Sequence, residues 1–415
     1  MDTQCFSRLM LDGVAGQLHT IDQSLQEIVK VIRAYMGMEV AFIAKFVENR
    51  REFRWVDVAT DTHPVRPGAG DPLESTYCQR IVDGRLPSIV PDTAENPITR
   101  GLDVTDALGI GCYMGVPVEL PNGDLYGTLC CFKAEADTSL TRRDLNFVQA
   151  FAGLVGRLIF DNCQSALANE QVKETIEEIL AKDNLTTYFQ PIFNSKEGRI
   201  TGFEALTRFN TNPYRPPNEW FDEAIQVDMS EQLEMAAIAL ALKSTGKLSA
   251  GCYIGLNVSP AHILSGALHR TLLKAPKAKI VIEITEHAPI DDYPALRKAL
   301  APLRAAGARL AVDDAGAGYA SFQHTLELDP DLIKLDISLI RDIHQDPKRR
   351  ALATALVAFA RSVGAEVIAE GVEQAAELQA LNTLGVHKLQ GYYIGRPMPL
   401  SEAEQFLEQK RCSVG

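Results

Sequence analysis

Asp313 and Asp314 stand side by side in LAVDDAGAGYASF (residues 310–322), after an apolar run and before a Gly-x-Gly turn. At the end of a buried strand two such carboxylates repel each other, and neither stays ionised without a cation or hydrogen-bond donors. Alone, the doublet reads more readily as a loop whose acids face water or cap the next helix. The rest of the chain argues for chemistry. Short apolar runs place Gln190, Glu204, Arg208, Asn257, Glu283, Glu286, Asp313, Asp314, Lys334, Asp336, Glu370, Glu373 and Gln390 at or near their ends. Converging on one mouth, this many carboxylates require cations. Hard oxygen donors without paired Cys or His select Mg²⁺, Mn²⁺ or Ca²⁺ over zinc. Adjacent carboxylates can hold two nearby cations, and two metals about 4 Å apart are a recurring device for phosphodiester cleavage. Lys334, set among acids, stays protonated and can hold an attacking water. The eight histidines form no HExxH, which argues against a zinc peptidase.

These residues need a frame. After about residue 185 the runs TTYFQPIF, ITGFEALTRF, YIGLNVS, IVIEITE, LAVDDAG, LIKLDIS, VIAEGVE and KLQGYYI alternate with helical stretches such as PALRKALAPLRAAG and KRRALATALVAFARSVG. Continuous apolar strands alternating with helices imply a largely parallel sheet, and eight of them match a (β/α)8 barrel with its site at the C-terminal strand ends. The first part is mixed α+β. A helix over 21–36 precedes the strand-like runs MEVAFIAKFVE and REFRWVDVAT, and CYMGVPVEL and LYGTLCCFK flank the hairpin signal PNGD. From Thr141, capped with Asp144, an apolar stripe runs Leu145, Val148, Phe151, Val155, Leu158, Asn162, Ala166, Val172, Ile176, Ile179. It reads as a rigid connector or a parallel dimer seam. The domains are expected at 1–163 (regulatory), 164–184 (connecting helix) and 185–415 (barrel).

Bulk properties narrow the function classes. The 415 residues suffice for two or three domains, and 46% hydrophobic with 23% charged residues is ordinary for a globular protein. A net charge of −13 argues against a duplex nucleic-acid or acidic-membrane surface. No apolar run approaches a membrane span, and MDTQCFSR has no signal-peptide core. Eight scattered cysteines, none in a CxxC pair, suit reduced thiols and a cytoplasmic location.

The C-terminal part, about 185–405, resembles the EAL-domain family of cyclic di-GMP phosphodiesterases. Glu204-Ala205-Leu206 is the name-giving tripeptide, with FQPI (189–192), NVS (257–259), EITE (283–286), DDAGAGY (313–319), KLD (334–336), AEGVE (369–373) and QGYY (390–393) in the family's order. The resemblance implies a barrel with one antiparallel strand and hydrolysis of cyclic di-GMP to linear pGpG with two Mg²⁺ or Mn²⁺ ions. It assigns Glu204, Asn257, Glu283 and Asp313 to one metal, and Asp313 and Asp314 to the second, with Glu370 directly or through water. Lys334 would orient the attacking water, and Gln190, Arg208 and Gln390 would face the substrate. Glu286 would anchor the loop after Asp314, with Asp336 and Glu373 as supporting residues. Two departures stand out. The family commonly reads DDFGTGYSS, where this chain has Ala315, Ala317 and Ala320; and in EWFDEAIQVDMSEQ, Ile225 replaces a usual Glu. These leave open a second reading, a barrel that binds cyclic di-GMP as a receptor without cleaving it. The first 165 residues resemble a GAF domain through TYCQRIVDGRLPSIVPDT and IGCYMGVPVELPNGDLYGTLCCF. That implies a small-molecule ligand, dimerisation, or both. Tyr113 after Cys112 argues against a bilin, and no GGDEF motif is present.

Overall fold

The computed structural model describes residues 20–182, 184–248, 251–274, 279–285, 288–316 and 320–412. It divides into two compact units that meet in sequence at Ala168 and Asn169. Among the described residues no helix is long and apolar enough to cross a membrane.

The first unit is built on a six-stranded antiparallel sheet. Its strands are β1 (Val40–Val47), β2 (Arg50–Val58), β3 (Gly70–Pro72), β4 (Ile89–Val90), β5 (Cys112–Glu119) and β6 (Leu125–Lys133), ordered β3-β2-β1-β6-β5-β4. The expected hairpin is β5–β6, with Gly123 in the left-handed region in its turn. Alternation along the strands separates two cores. Ala41, Ile43, Met114, Leu129 and Cys131 face the helix Ile21–Met36 and the start of the long helix. Val40, Phe42, Tyr113, Cys130 and Phe132 face Tyr77, Cys78 and Ile81 of the helix Tyr77–Val82. The helix Ile21–Met36 forms where expected because Thr20 and Gln23 make a capping box and Gly37 ends it with left-handed backbone.

The long helix runs Arg142–Ala181. Asp144 accepts from both the backbone and the hydroxyl of Thr141, at 2.8 and 2.7 Å. The stripe is covered at its two ends only. Val148, Phe151, Val155 and Ile159 join the first unit's core, Ile176 and Ile179 join a core of the second, and residues 161–171 are exposed.

The second unit is a closed eight-stranded barrel. It consists of β7 (Leu185–Asn194), β8 (Arg199–Phe209), β9 (Tyr253–Asn257), β10 (Lys279–Thr285), β11 (Arg309–Ala315), β12 (Leu332–Leu335), β13 (Glu366–Ala369) and β14 (Lys388–Gln390). Seven strands run parallel in sequence order, and β7 closes the ring antiparallel to both β8 and β14, with β15 (Met398–Pro399) added outside. Every apolar run of the sequence becomes a strand. Ile192, Tyr253, Val281, Ala311, Leu332 and Ile368 pack together as one layer. Side chains alternate with period two, so the residues two positions on from Val281, Ala311, Leu332 and Ile368 share that face. They are Glu283, Asp313, Lys334 and Glu370. A larger core, with Leu256, Ile282, Ile284, Leu296 and Leu300, lies between strands and helices.

Candidate active site

The layer above the apolar plug is charged. Lys334 Nζ, fully buried, lies 2.6 Å from Glu283 Oε2, 2.7 Å from Glu370 Oε1, 2.8 Å from Asp313 Oδ2 and 3.5 Å from Glu204 Oε2. One ammonium thus faces four carboxylates, and the deficit of positive charge shows in their titration. Burial pushes Glu283 up to about 8, only partly opposed by Lys334, and burial likewise raises Asp313 and, strongly, Glu370. Glu204 goes the other way. Burial raises it, but Lys334 and the amides of Gln390 and Asn257 outweigh that and hold it below the usual range. Burial also opposes the charge on Lys334, yet Asp313, Glu204, Glu283 and Glu370 together keep it well above the usual lysine value.

The amide donors that orient Glu204 come from two strands, β9 and β14. Asn257 Nδ2 donates to Glu204 Oε1 at 2.9 Å, and Gln390 Nε2 donates to Glu204 Oε2 at 2.5 Å and to Gln190 Oε1 at 3.0 Å. Gln190 and Gln390 are themselves buried and serve here as supports for Glu204. Asp313 Oδ1 accepts the backbone N–H of Asp314 at 2.8 Å, and Asp314 has φ of 59°, a left-handed conformation that costs a non-glycine residue strain. That conformation answers how two adjacent acids of one strand both reach the mouth. Carboxylate oxygens of Glu204, Glu283 and Asp313 lie within 4.8 Å of one another, and so do those of Asp313, Asp314 and Glu370. Asp313 is common to both groups, the position a bridging ligand would take.

The other expected site residues lie apart from this cluster. Arg208 donates to Thr207 O and stacks over Tyr188 at 5.5 Å, on the wall of an 810 Å³ groove that reaches Asn257 and Glu283. Asp336 caps the helix Ile337–Ile340 by accepting from Ser338 N, and Glu373 is exposed, 3.9 Å from Arg341. Both follow the strand ends closely enough in sequence to suggest the site, but the chain has already left the barrel wall. Glu286 lies outside the described residues, as do Ala317 to Tyr319 of the loop.

Two features escaped the sequence reading. Gly255 of β9 stands where a Cβ would lie 2.0 Å from Glu283 Oε1, so the bare glycine is what admits the carboxylate. A glycine inside a central strand is the signal that could have found it. In the groove, His262 Nδ1 lies 2.8 Å from Glu234 Oε1 and His262 Nε2 lies 3.3 Å from Ser230 Oγ. Ser259 donates to Glu234 from both backbone and hydroxyl. Ile225, 64% exposed, lines the same groove. Helix spacing brings Ser230 and Glu234 together, but their meeting with His262 is tertiary and left no motif.

This fold and this cluster agree with the comparison to known families, in which the EAL domain matches residues 173–397. The chain belongs to the EAL family. The GAF domain matches residues 20–159, so the antiparallel N-terminal unit is a GAF domain. The chain is 30% identical over 257 residues to the signalling protein YkoW of Bacillus subtilis (strain 168), covering 59% of this chain and 32% of that protein. It is 29% identical over 243 residues to the probable cyclic di-GMP phosphodiesterase PdeD of Escherichia coli (strain K12), covering 55% and 44%. The match thus spans less than half the length of either relative. Among solved structures, the EAL domain protein from Listeria monocytogenes EGD-e superposes with a TM-score of 0.52 at 26% identity, over 56% of this chain and 96% of its own. The PaMucR phosphodiesterase in complex with c-di-GMP gives 0.51 at 27%, over 56% and 99%.

Proposed function

We propose that this EAL barrel is a metal-dependent phosphodiesterase that hydrolyses one phosphodiester of cyclic di-GMP to linear pGpG. The observation that carries the reading is the buried cluster of Glu204, Glu283, Asp313 and Glu370 around Lys334. Four carboxylates against one ammonium are short of cations, and buried Glu283 Oε1 has no hydrogen-bond partner among the described residues. An all-oxygen donor set with a shared aspartate fits two hard divalent cations, Mg²⁺ or Mn²⁺. Glu204, Asn257, Glu283 and Asp313 would hold one, and Asp313, Asp314 and Glu370 the other. Bound there, the ions would neutralise the cluster and stabilise charge developing on the phosphodiester.

The chain's own residues do the rest. Asn257 and Gln390 fix the Glu204 carboxylate, and Gly255 leaves room for Glu283. Lys334, protonated throughout, orients the water whose oxygen attacks phosphorus as the bond to the leaving ribose oxygen breaks. Arg208 on the groove wall meets the substrate's negative charge. The resemblance to PdeD and to PaMucR supports this substrate. We further propose that the GAF unit governs turnover in a homodimer, because the helix Arg142–Ala181 is anchored in both cores while its middle is exposed.

The test incubates the full chain with cyclic di-GMP and Mg²⁺ or Mn²⁺ and separates products by chromatography. Linear pGpG should accumulate, and a chelator should stop it. Tight binding of intact nucleotide in excess metal would replace the enzyme by a receptor.

A further inference from the structure

The GAF unit buries a charge that the phosphodiesterase does not use. Arg51 of β2 has 2% of its surface exposed, and its guanidinium sits 4.2 Å from the ring centre of Phe53 and 5.5 Å from that of Phe42. A cation buried among aromatic rings needs an anion. Asp71, on the short edge strand β3, pairs with Nη2 but is itself 40% exposed. The other neighbour is a sulfur. Cys78 Sγ lies 3.6 Å from Arg51 Nη1, 3.4 Å from the Tyr113 hydroxyl and 3.9 Å from Cys130 Sγ. Both cysteines are fully buried, one on the helix Tyr77–Val82 and the other on β6. Cys130 and Cys131 are adjacent in the chain, but strand alternation sends Cys131 to the opposite face with Met114. The pair that meets is Cys78 with Cys130.

We propose that Cys78 and Cys130 form a modification site, oxidised by hydroperoxides to an intramolecular disulfide with Cys78 as the attacking and Cys130 as the resolving thiol. The surroundings divide these roles. Burial alone pushes the Cys78 thiol up, but the hydrogen bond from Cys130, the Arg51 charge and the Tyr113 hydroxyl together bring it well below the usual range. Burial, with Cys78 beside it, keeps Cys130 a thiol. The thiolate is the nucleophile in such chemistry, and the Arg51 guanidinium is the cation that sustains it.

The step balances. Cys78 thiolate attacks the outer peroxide oxygen, the O–O bond breaks, and the departing oxygen takes a proton from water, leaving Cys78 sulfenic acid and an alcohol, or water from hydrogen peroxide. The Cys130 sulfur then attacks the Cys78 sulfur. The S–O bond breaks, hydroxide leaves with the Cys130 proton as water, and the two thiols together have lost two electrons to the peroxide. To bond, the sulfurs close from 3.9 Å to about 2.0 Å, a movement of the size one side-chain rotation supplies. Because both sulfurs are buried, oxidant enters through local opening, and the three-residue β3 and the six-residue helix Tyr77–Val82 are short elements that carry Asp71 and Cys78 beside the site. The pair therefore reacts more slowly than exposed Cys163 but ends as a disulfide.

The test uses the full chain with Cys163→Ser, which removes the exposed cysteine among the described residues. It is treated with excess hydrogen peroxide, alkylated, digested without reductant and mapped by mass spectrometry. The map distinguishes the Cys78–Cys130 link from any link through Cys5 or Cys412. The expected product is a peptide joining Cys78 to Cys130 that dithiothreitol releases. In Cys130→Ser the link disappears and dimedone traps Cys78 as sulfenic acid, and Arg51→Gln slows disulfide formation at neutral pH by about 10-fold. The map of the chain with an intact cluster decides the matter even if a cluster variant does not fold. Recovery of both cysteines as alkylated thiols after prolonged exposure would overturn the proposal, and so would oxidation of either without the link.

Discussion

Gly255→Ala tests whether the placement of one carboxylate sets the activity. The added methyl carbon would lie 2.0 Å from Glu283 Oε1 and 2.9 Å from its carboxyl carbon, whereas ordinary contact begins near 3.4 Å. The carboxylate, or the strand carrying the methyl, must therefore retreat by about 1.4 Å, the difference between those two oxygen contacts. Glu283 has nowhere to go at no cost, being 0% exposed with its other oxygen 2.6 Å from Lys334. A displacement of about 1 Å in a positioned group costs on the order of 10²-fold in rate, about 2.7 kcal/mol of barrier. The expected result is a loss of that size in kcat/KM for cyclic di-GMP at saturating Mg²⁺. Overpacking should cost stability as well, roughly 1–3 kcal/mol, which thermal unfolding separates from wholesale misfolding. Gly153→Ala is the control. It is exposed on the long helix, a Cβ there meets nothing within 4 Å, and the change should stabilise by about 0.5–1 kcal/mol with no effect on turnover. A folded Gly255→Ala protein with wild-type kcat/KM would refute the placement of Glu283 at the reacting centre.

Glu204→Ala and Asp313→Ala should each lower turnover by at least about 10²-fold, while Glu373→Ala, exposed and outside the cluster, stays near wild type; equal losses in all three would dissolve the distinction. Lys334→Ala should lower kcat with cyclic di-GMP binding retained, and in chelator it should cost roughly 3–5 kcal/mol of stability because the carboxylates lose their ammonium, a loss that Mg²⁺ or Mn²⁺ partly restores in thermal unfolding. Hydrogen bonding to Glu234 holds His262 above the usual histidine range despite its burial. The pair's contribution is therefore complete on the acid side of that range and is lost as pH rises through the raised value, so Glu234→Gln should cost more stability on the acid side of the usual histidine range than well above it; a pH-independent difference would contradict this. Leu167→Glu, at a 60% exposed position in the middle of the long helix, should dissociate the proposed homodimer in light scattering without lowering the unfolding temperature; an unchanged mass would remove that seam.

The barrel was legible because its strands are buried on both faces and so read as uninterrupted apolar runs. The members of the cluster were legible for a related reason, since so many charges at the ends of such runs outweigh the reading of any one of them as a solvated loop group or helix cap. Sequence alone does not say which strand-end residues share a face. Asp313 and Glu283 sit two positions beyond Ala311 and Val281 of the plug layer, and parity carries them inward. Asp336 and Glu373 lie past the ends of their strands, where the backbone has turned and parity no longer applies. Gln390, expected with Gln190 to face substrate, donates to both Glu204 and Gln190, since a buried carboxylate such as Glu204 needs amide donors as much as it needs cations.

The long helix shows the limit of periodicity most clearly. Its apolar stripe from Leu145 to Ile179 is real, but a stripe states only that something covers it. Val155 is fully buried, and a Cβ on Gly156 would lie 2.1 Å from the backbone oxygen of Glu119, so this part of the helix is pressed against β5 of its own GAF sheet. A charge at Val155 would break that core whether or not a dimer exists. Ile176 and Ile179 are buried with Trp220 and Leu233 of the barrel unit. What remains for a sister helix is the exposed stretch between, where the stripe thins to Asn162 and Ala166 and the largest apolar side chain, Leu167, lies beside it. In the proposed homodimer a weak seam there, between two firmly anchored ends, suits the proposed coupling better than a continuous coiled coil would, because few contacts have to be remade for the two helices to change register.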